Sequence, residues 1–208
     1  GEGILYINEK NKTNNKAIVC LGGWNGDVFD WIKNTSISEY ANNNNFRLIL
    51  IEMGMSVYET SYYNESKENR KWQKGNFPGL KWVKEIIFPY IQDNHEINLS
   101  QSPIIGFSTG RRGVVRLLEE FEDLKIGIAI SVTYDLFGLS EDDGEYKIHA
   151  NIFGQRNNNI KRWENEDCKK YLKQLNNKRL FIIHSQADNV VNYTQAKKFH
   201  DLLLKNNI

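Results

Sequence analysis

Ile104-Ile105-Gly106-Phe107-Ser108-Thr109-Gly110 joins a short apolar run, residues 103–107, to an amphipathic segment, residues 109–121. Small residues two places before and two places after a serine let a chain turn so tightly that the hydroxyl projects above a sheet at the start of a helix. The positive end of that helix, with the N–H of Thr109, favours a negatively charged oxygen forming beside Ser108. Ser108 is therefore the candidate nucleophile, against the plainer reading of a serine in a turn.

Outward from this point, apolar β-branched runs alternate with amphipathic segments, the pattern of βαβ units around a mostly parallel sheet flanked by helices. Strands are expected at 4–7, 16–21, 47–51, 103–107, 126–132 and 179–184, and helices at 28–40, 80–91, 109–121, 167–175 and 194–204. Residues 53–76 form a long polar and aromatic stretch, and residues 134–165 read as a loop-rich excursion or lid. The 208 residues, 1–208, fit one domain.

With 27 Lys+Arg against 26 Asp+Glu, the net charge of +1 gives no field to draw the chain onto nucleic acid or anionic lipid, and no basic stripe is present. The apolar runs fall far short of a bilayer span. Cys20 and Cys168 are too few for a disulfide framework and stand in no metal-ligand spacing. The chain starts at Gly1 with no basic-then-apolar leader, which leaves its compartment open.

Three further places bear on chemistry. Gly22-Gly23-Trp24 follows the second strand, where a second oxyanion donor belongs, so the N–H of Gly23 or of Trp24 is the candidate. Asp188, a few residues past the strand at 179–184, stands in chain order where the acid that orients a base should be. Tyr58, Tyr62, Tyr63, Trp72, Phe77 and Trp24 are candidates for the wall of an acyl pocket, or equally for a packed aromatic rim. Arg111 is a candidate contact for an anionic substrate group, set against a structural ion pair for it and Arg112. No base is assigned. His95, His149 and His184 precede Asp188, and His200, beyond it, falls inside the last expected helix.

The residues resemble the α/β-hydrolase fold and, within it, the serine esterases grouped with esterase D and the mycolyltransferases. The resemblance spans nearly the whole chain. It rests on Leu21-Gly22-Gly23-Trp24, Gly54-Met55-Ser56-Val57-Tyr58, Gly106-Phe107-Ser108-Thr109-Gly110-Arg111-Arg112-Gly113, Ser131-Val132-Thr133-Tyr134-Asp135, Arg162-Trp163 and His184-Ser185-Gln186-Ala187-Asp188. It implies Ser108 as nucleophile, Asp188 as acid, and the N–H groups of Thr109 and of Gly23 or Trp24 as oxyanion hole. Leu21 stands where the family has His and Ser185 where it has Gly. The family's Gly-His-Asp segment has no counterpart, so the length reads as short by one strand and one histidine-bearing loop.

The expected activity is hydrolysis of a small-molecule carboxylic ester through an acyl-enzyme on Ser108, with no metal or organic cofactor implied. Two alternatives are a catalytically incomplete hydrolase-fold binding protein and a peptidase or acyltransferase on the same fold. Oligomeric state is not legible.

Overall fold

The computed structural model describes residues 4–8, 13–63, 77–131 and 133–208. Trp72 and Val132 lie outside them. Strands β1 (Ile4–Ile7), β2 (Ala17–Leu21), β3 (Arg47–Glu52), β4 (Ile104–Phe107), β5 (Ile126–Ile130) and β6 (Arg179–Ile183) form one sheet in the order β1-β3-β2-β4-β5-β6. β1 runs antiparallel to β3 and every other pairing is parallel. The helices are α1 (Asp30–Asn34), α2 (Ile37–Asn43), α3 (Gly79–Trp82), α4 (Phe88–His95), α5 (Thr109–Glu120), α6 (Gly144–Phe153), α7 (Ile160–Glu166) and α8 (Tyr193–Lys205).

β2 and β3 are buried on both faces, which is why they read as unbroken apolar runs. Strand alternation sends Val19, Leu21, Ile49, Ile51, Ile104 and Ala129 into a large core with residues of α3, α4, α5 and α8. Ile18, Cys20, Leu48 and Leu50 point the other way and meet residues of α1 and α2.

Residues 28–40 were expected to be one helix and are not. Thr35 is extended (φ −141°, ψ 164°), its hydroxyl donating back to the Trp31 carbonyl and accepting from the Ile37 N–H, so α1 stops and α2 starts anew. α3 runs into α4 through a π turn, Val83–Ile87, just ahead of Pro89, which has no N–H to continue an ordinary ladder.

The excursion at 134–165 is also more ordered than its composition implies. α6 and α7 carry their own apolar cluster of Leu136, Tyr146, Ile152, Phe153 and Trp163. Buried ion pairs tie this layer to α5: Arg111 to Glu145 at 3.0 Å and Arg112 to Glu166 at 2.7 Å. A guanidinium out of water is tolerable only with such a partner.

His149 sits inside this layer, its Nδ1–H donating to the Glu145 carbonyl at 2.7 Å. Burial pushes its pKa down to about 4. Because that lies below the ordinary value of about 6.5, the unfolded chain takes up a proton first, and stability falls as pH drops from about 6.5 towards about 4. Urea unfolding at pH 7 and pH 5 should show a loss for the native chain that is smaller in His149→Gln; equal losses would discount the histidine.

Among the described residues, nothing covers one half of the sheet on the α1–α2 side. Two rows cross the strands there in register, Ile105–Ile128–Phe181 and Phe107–Ile130–Ile183. Exposure in the first row climbs from 9% at Ile105 to 54% at Phe181. Among the described residues no helix is long and apolar enough to cross a membrane.

Candidate active site

The carboxyl ends of the parallel strands gather at one edge of the sheet, the edge at which open α/β sheets bind ligands. Gly22, Gly23 and Trp24 leave β2, Ser108 leaves β4, Ser131 leaves β5, and the turn after β6 carries Asp188.

Ser108 connects β4 to α5 with φ 54° and ψ −127°, a backbone that side-chain-bearing residues rarely adopt. The turn is tight enough to dictate its glycines. A Cβ on Gly106 would lie 2.3 Å from the Gly110 carbonyl carbon and oxygen, and one on Gly110 would lie 2.6 Å from the Leu21 carbonyl oxygen. Both obstacles are backbone and cannot swing aside. Gly106→Ala is therefore expected to destabilise the fold by more than about 3 kcal/mol, measured by urea unfolding; a loss under about 1 kcal/mol, the size of an ordinary substitution, would contradict the tight elbow.

Thr109 opens α5, so its N–H has no acceptor within the helix. Across from it, a Cβ on Gly23 would stand 3.2 Å from the Ser108 Cβ and 3.7 Å from its Oγ. The β2 loop thus passes directly over the serine. Most of its backbone is already committed: Gly22 N–H donates to Ile51 (2.9 Å), Asn25 N–H to Gly54 (2.8 Å) and Gly26 N–H to the Gly23 carbonyl (3.2 Å). Among the described residues nothing accepts from the N–H of Gly23 or Trp24, and both remain candidate donors.

Asp188 is held as a carboxylate. The Ser131 hydroxyl donates to Oδ2, while the N–H groups of Val191 and Val190 donate to Oδ1 at 2.9 Å each. These donors, Ser131 foremost, bring its pKa down to about 2. In the sequence Ser131 carries only the family resemblance of Ser131-Val132-Thr133-Tyr134-Asp135, which assigns it no role. Its signal was positional, a polar residue just beyond a strand on the same edge as Ser108.

Three of the histidines are engaged elsewhere, and His184 lies against Asp188. His184, its side chain 1% exposed, donates from Nε2 to the Val191 carbonyl at 2.8 Å and lies 3.5 Å from Asp188 Oδ2. His95 accepts from Arg47 at 3.1 Å. His149 is in the α6–α7 layer, and His200 stands on α8 beside Asp201.

A cavity of about 570 Å³ opens beside Ser108, lined by Gly23, Trp24, Trp31, Asn34, Phe107 and Ile130 among others. No histidine lines it, and through Phe107 and Ile130 it runs onto the bare half of the sheet. Trp31, Asn34 and Phe107 had no place in the sequence reading of the pocket.

Two residues weighed as substrate contacts stand away from this cavity. Tyr58 is fully buried and meets no solvent; its hydroxyl donates to the Gly22 carbonyl at 2.8 Å. Arg111 is 2% exposed and spends its guanidinium on Glu145 and Thr133. Neither reaches the cavity wall.

A mostly parallel sheet with a strand–serine–helix elbow at its carboxyl edge is the α/β-hydrolase fold, and solved structures agree. The chain is similar to FphF, a fluorophosphonate-binding serine hydrolase of Staphylococcus aureus, with TM-score 0.70 and 18% identity over 98% of this chain and 80% of that one. S-formylglutathione hydrolase (FrmB) of Staphylococcus aureus matches with TM-score 0.68 and 17% identity over the same shares, 98% and 80%. A ferulic acid esterase matches with TM-score 0.65 and 12% identity over 99% of this chain and 87% of that one. At these identities the likeness concerns the fold. No family model and no curated protein matches the sequence.

Proposed function

We propose that the chain is a serine hydrolase of carboxylic esters acting through an acyl-enzyme on Ser108. The observation that carries this reading is the elbow: a serine at φ 54° immediately before α5, with the Gly23 backbone against its side chain. In the proposed reaction Ser108 Oγ bonds to the acyl carbon and its proton passes to a base. The oxyanion is met by the N–H of Thr109 and an N–H of the Gly23–Trp24 loop, the alcohol leaves, and water then cleaves the acyl-enzyme. Asp188 is the acid that orients the base, and the base itself is unassigned. The esterases and serine hydrolases among the structural neighbours support the substrate class.

The test is reaction with a fluorophosphonate probe followed by mass spectrometry. A phosphonyl adduct on Ser108 is expected, and an unmodified Ser108 under conditions that label a known serine hydrolase overturns the proposal. One observation favours a second reading, a hydrolase-fold domain that binds an ester or acyl ligand without turning it over: none of the four histidines lines the Ser108 cavity. Adduct formation with p-nitrophenyl ester turnover decides for the first; ligand binding with neither decides for the second.

A further inference from the structure

We infer that Tyr58 is a positioning residue that fixes the peptide between Gly22 and Gly23 and so aims the Gly23 N–H at the substrate oxyanion that forms when Ser108 attacks; the inference rests on the serine-hydrolase reading above.

A trans peptide points its C=O and its N–H in opposite directions, and no peptide bond among the described residues is cis. The Gly22 carbonyl and the Gly23 N–H belong to one such plane. The carbonyl end is clamped, because the Tyr58 hydroxyl donates to it at 2.8 Å. It also faces the start of α5, where a Cβ on Gly110 would approach the same oxygen to 2.8 Å. With the carbonyl turned to Tyr58 and α5, the N–H is turned away from them, to the side on which Gly23 and Ser108 border the cavity. Two consecutive glycines would otherwise let this plane rotate, since neither carries a Cβ to oppose it.

Tyr58 is built in as a fixed part. It has φ 55°, a left-handed backbone that is an outlier for a bulky residue and persists only where the surroundings impose it. The surroundings are identifiable. Ser56 Oγ accepts the Tyr58 N–H at 2.9 Å, and Arg112 donates to the Tyr58 carbonyl at 2.6 Å. The ring enters a recess that only glycine leaves open, since a Cβ on Gly113 would meet ring carbons at 2.5 Å and 2.7 Å. Thus α5 holds Ser108 at its first turn and, through Arg112 and Gly113, the residue that orients the opposite donor. The inference also decides between the two loop donors in favour of Gly23.

The test is Tyr58→Phe, which keeps the ring in its recess and removes only the hydroxyl. Two measurements are paired. In the first, the amide resonance of Gly23 is followed by NMR in the native chain and the variant. A clear displacement, with the amides of β3 and β5 unmoved, is expected, and an unchanged Gly23 amide overturns the inference whether or not the chain is a hydrolase. In the second, the rate of fluorophosphonate labelling is resolved into binding and bond formation. Bond formation should slow at least tenfold with binding unchanged, by the logic of losing a preorganised donor. A loss in binding alone, or equal rates, overturns it. Ser56→Ala, which loosens the same loop but keeps the hydroxyl, should slow labelling far less than Tyr58→Phe; an equal or greater slowing would make the role merely structural. Failure of the native chain to label at all counts against the hydrolase reading, while the NMR result still decides the orientation of the peptide.

Discussion

Ser108→Ala is expected to abolish covalent labelling by a fluorophosphonate probe while the circular dichroism spectrum stays unchanged. In the labelling step Oγ attacks phosphorus, the P–F bond breaks, fluoride departs and the hydroxyl proton is given up, so without Oγ no bond can form. The substitution removes one atom from a half-buried side chain and leaves the contacts of Gly106 and Gly110 as they are. Alanine inherits the positive φ that serine already tolerates, and the fold should survive. Labelling that persists in the variant would move the reactive group elsewhere and remove Ser108 from the proposal.

The second large effect belongs to Asp188→Asn. Asparagine copies the shape of the carboxylate, keeps an oxygen for the N–H groups of Val190 and Val191, and can turn its amide to Ser131, whose hydroxyl then accepts. What vanishes is the negative charge that would set the tautomer of a base and stabilise its protonated form. For an acid in that role the expected cost in kcat is on the order of 10³-fold or more with KM little changed. It is read with a p-nitrophenyl ester, and equal turnover would dismiss the orienting role. The pKa of about 2 fixes the sign of the pH behaviour. A carboxyl lowered from about 4 contributes stability that is present above that value and lost as pH falls towards 2. The native chain should therefore lose more stability than the variant between pH 4 and pH 2. Any acid limb of activity above pH 4 belongs to another group and should persist in the variant.

The elbow was legible because everything that makes it is local. Gly106, Ser108 and Gly110 fall within five consecutive positions, and their neighbours on either side have unmistakable strand and helix character. Asp188 was legible for a related reason, since chain order after a parallel strand places a side chain at the carboxyl edge. Tyr58 could be read no further than pocket wall or packed rim, because its partners are distant in sequence: Gly22 and Arg112 meet it only once β2, β3 and α5 are assembled. An aromatic residue in a polar stretch looks the same whether it lines a pocket or props up a loop. Arg111 and Arg112 pose the same difficulty, because the glutamates that absorb their charge lie in a segment whose Gly, Asn and Asp content hid two helices. The strand pattern, by contrast, was nearly complete, since all six strands are apolar runs, and burial of β2 and β3 on both faces leaves a signal in composition alone.

The recesses at Gly106, Gly110 and Gly113 bear on how much of the sequence is free to change. Around Ser108 the geometry is set by backbone lying on backbone and by side chains that are missing, so a few positions are held strictly and most others only have to stay apolar and of fitting size. A fold built this way accepts many different apolar residues around an elbow that stays put.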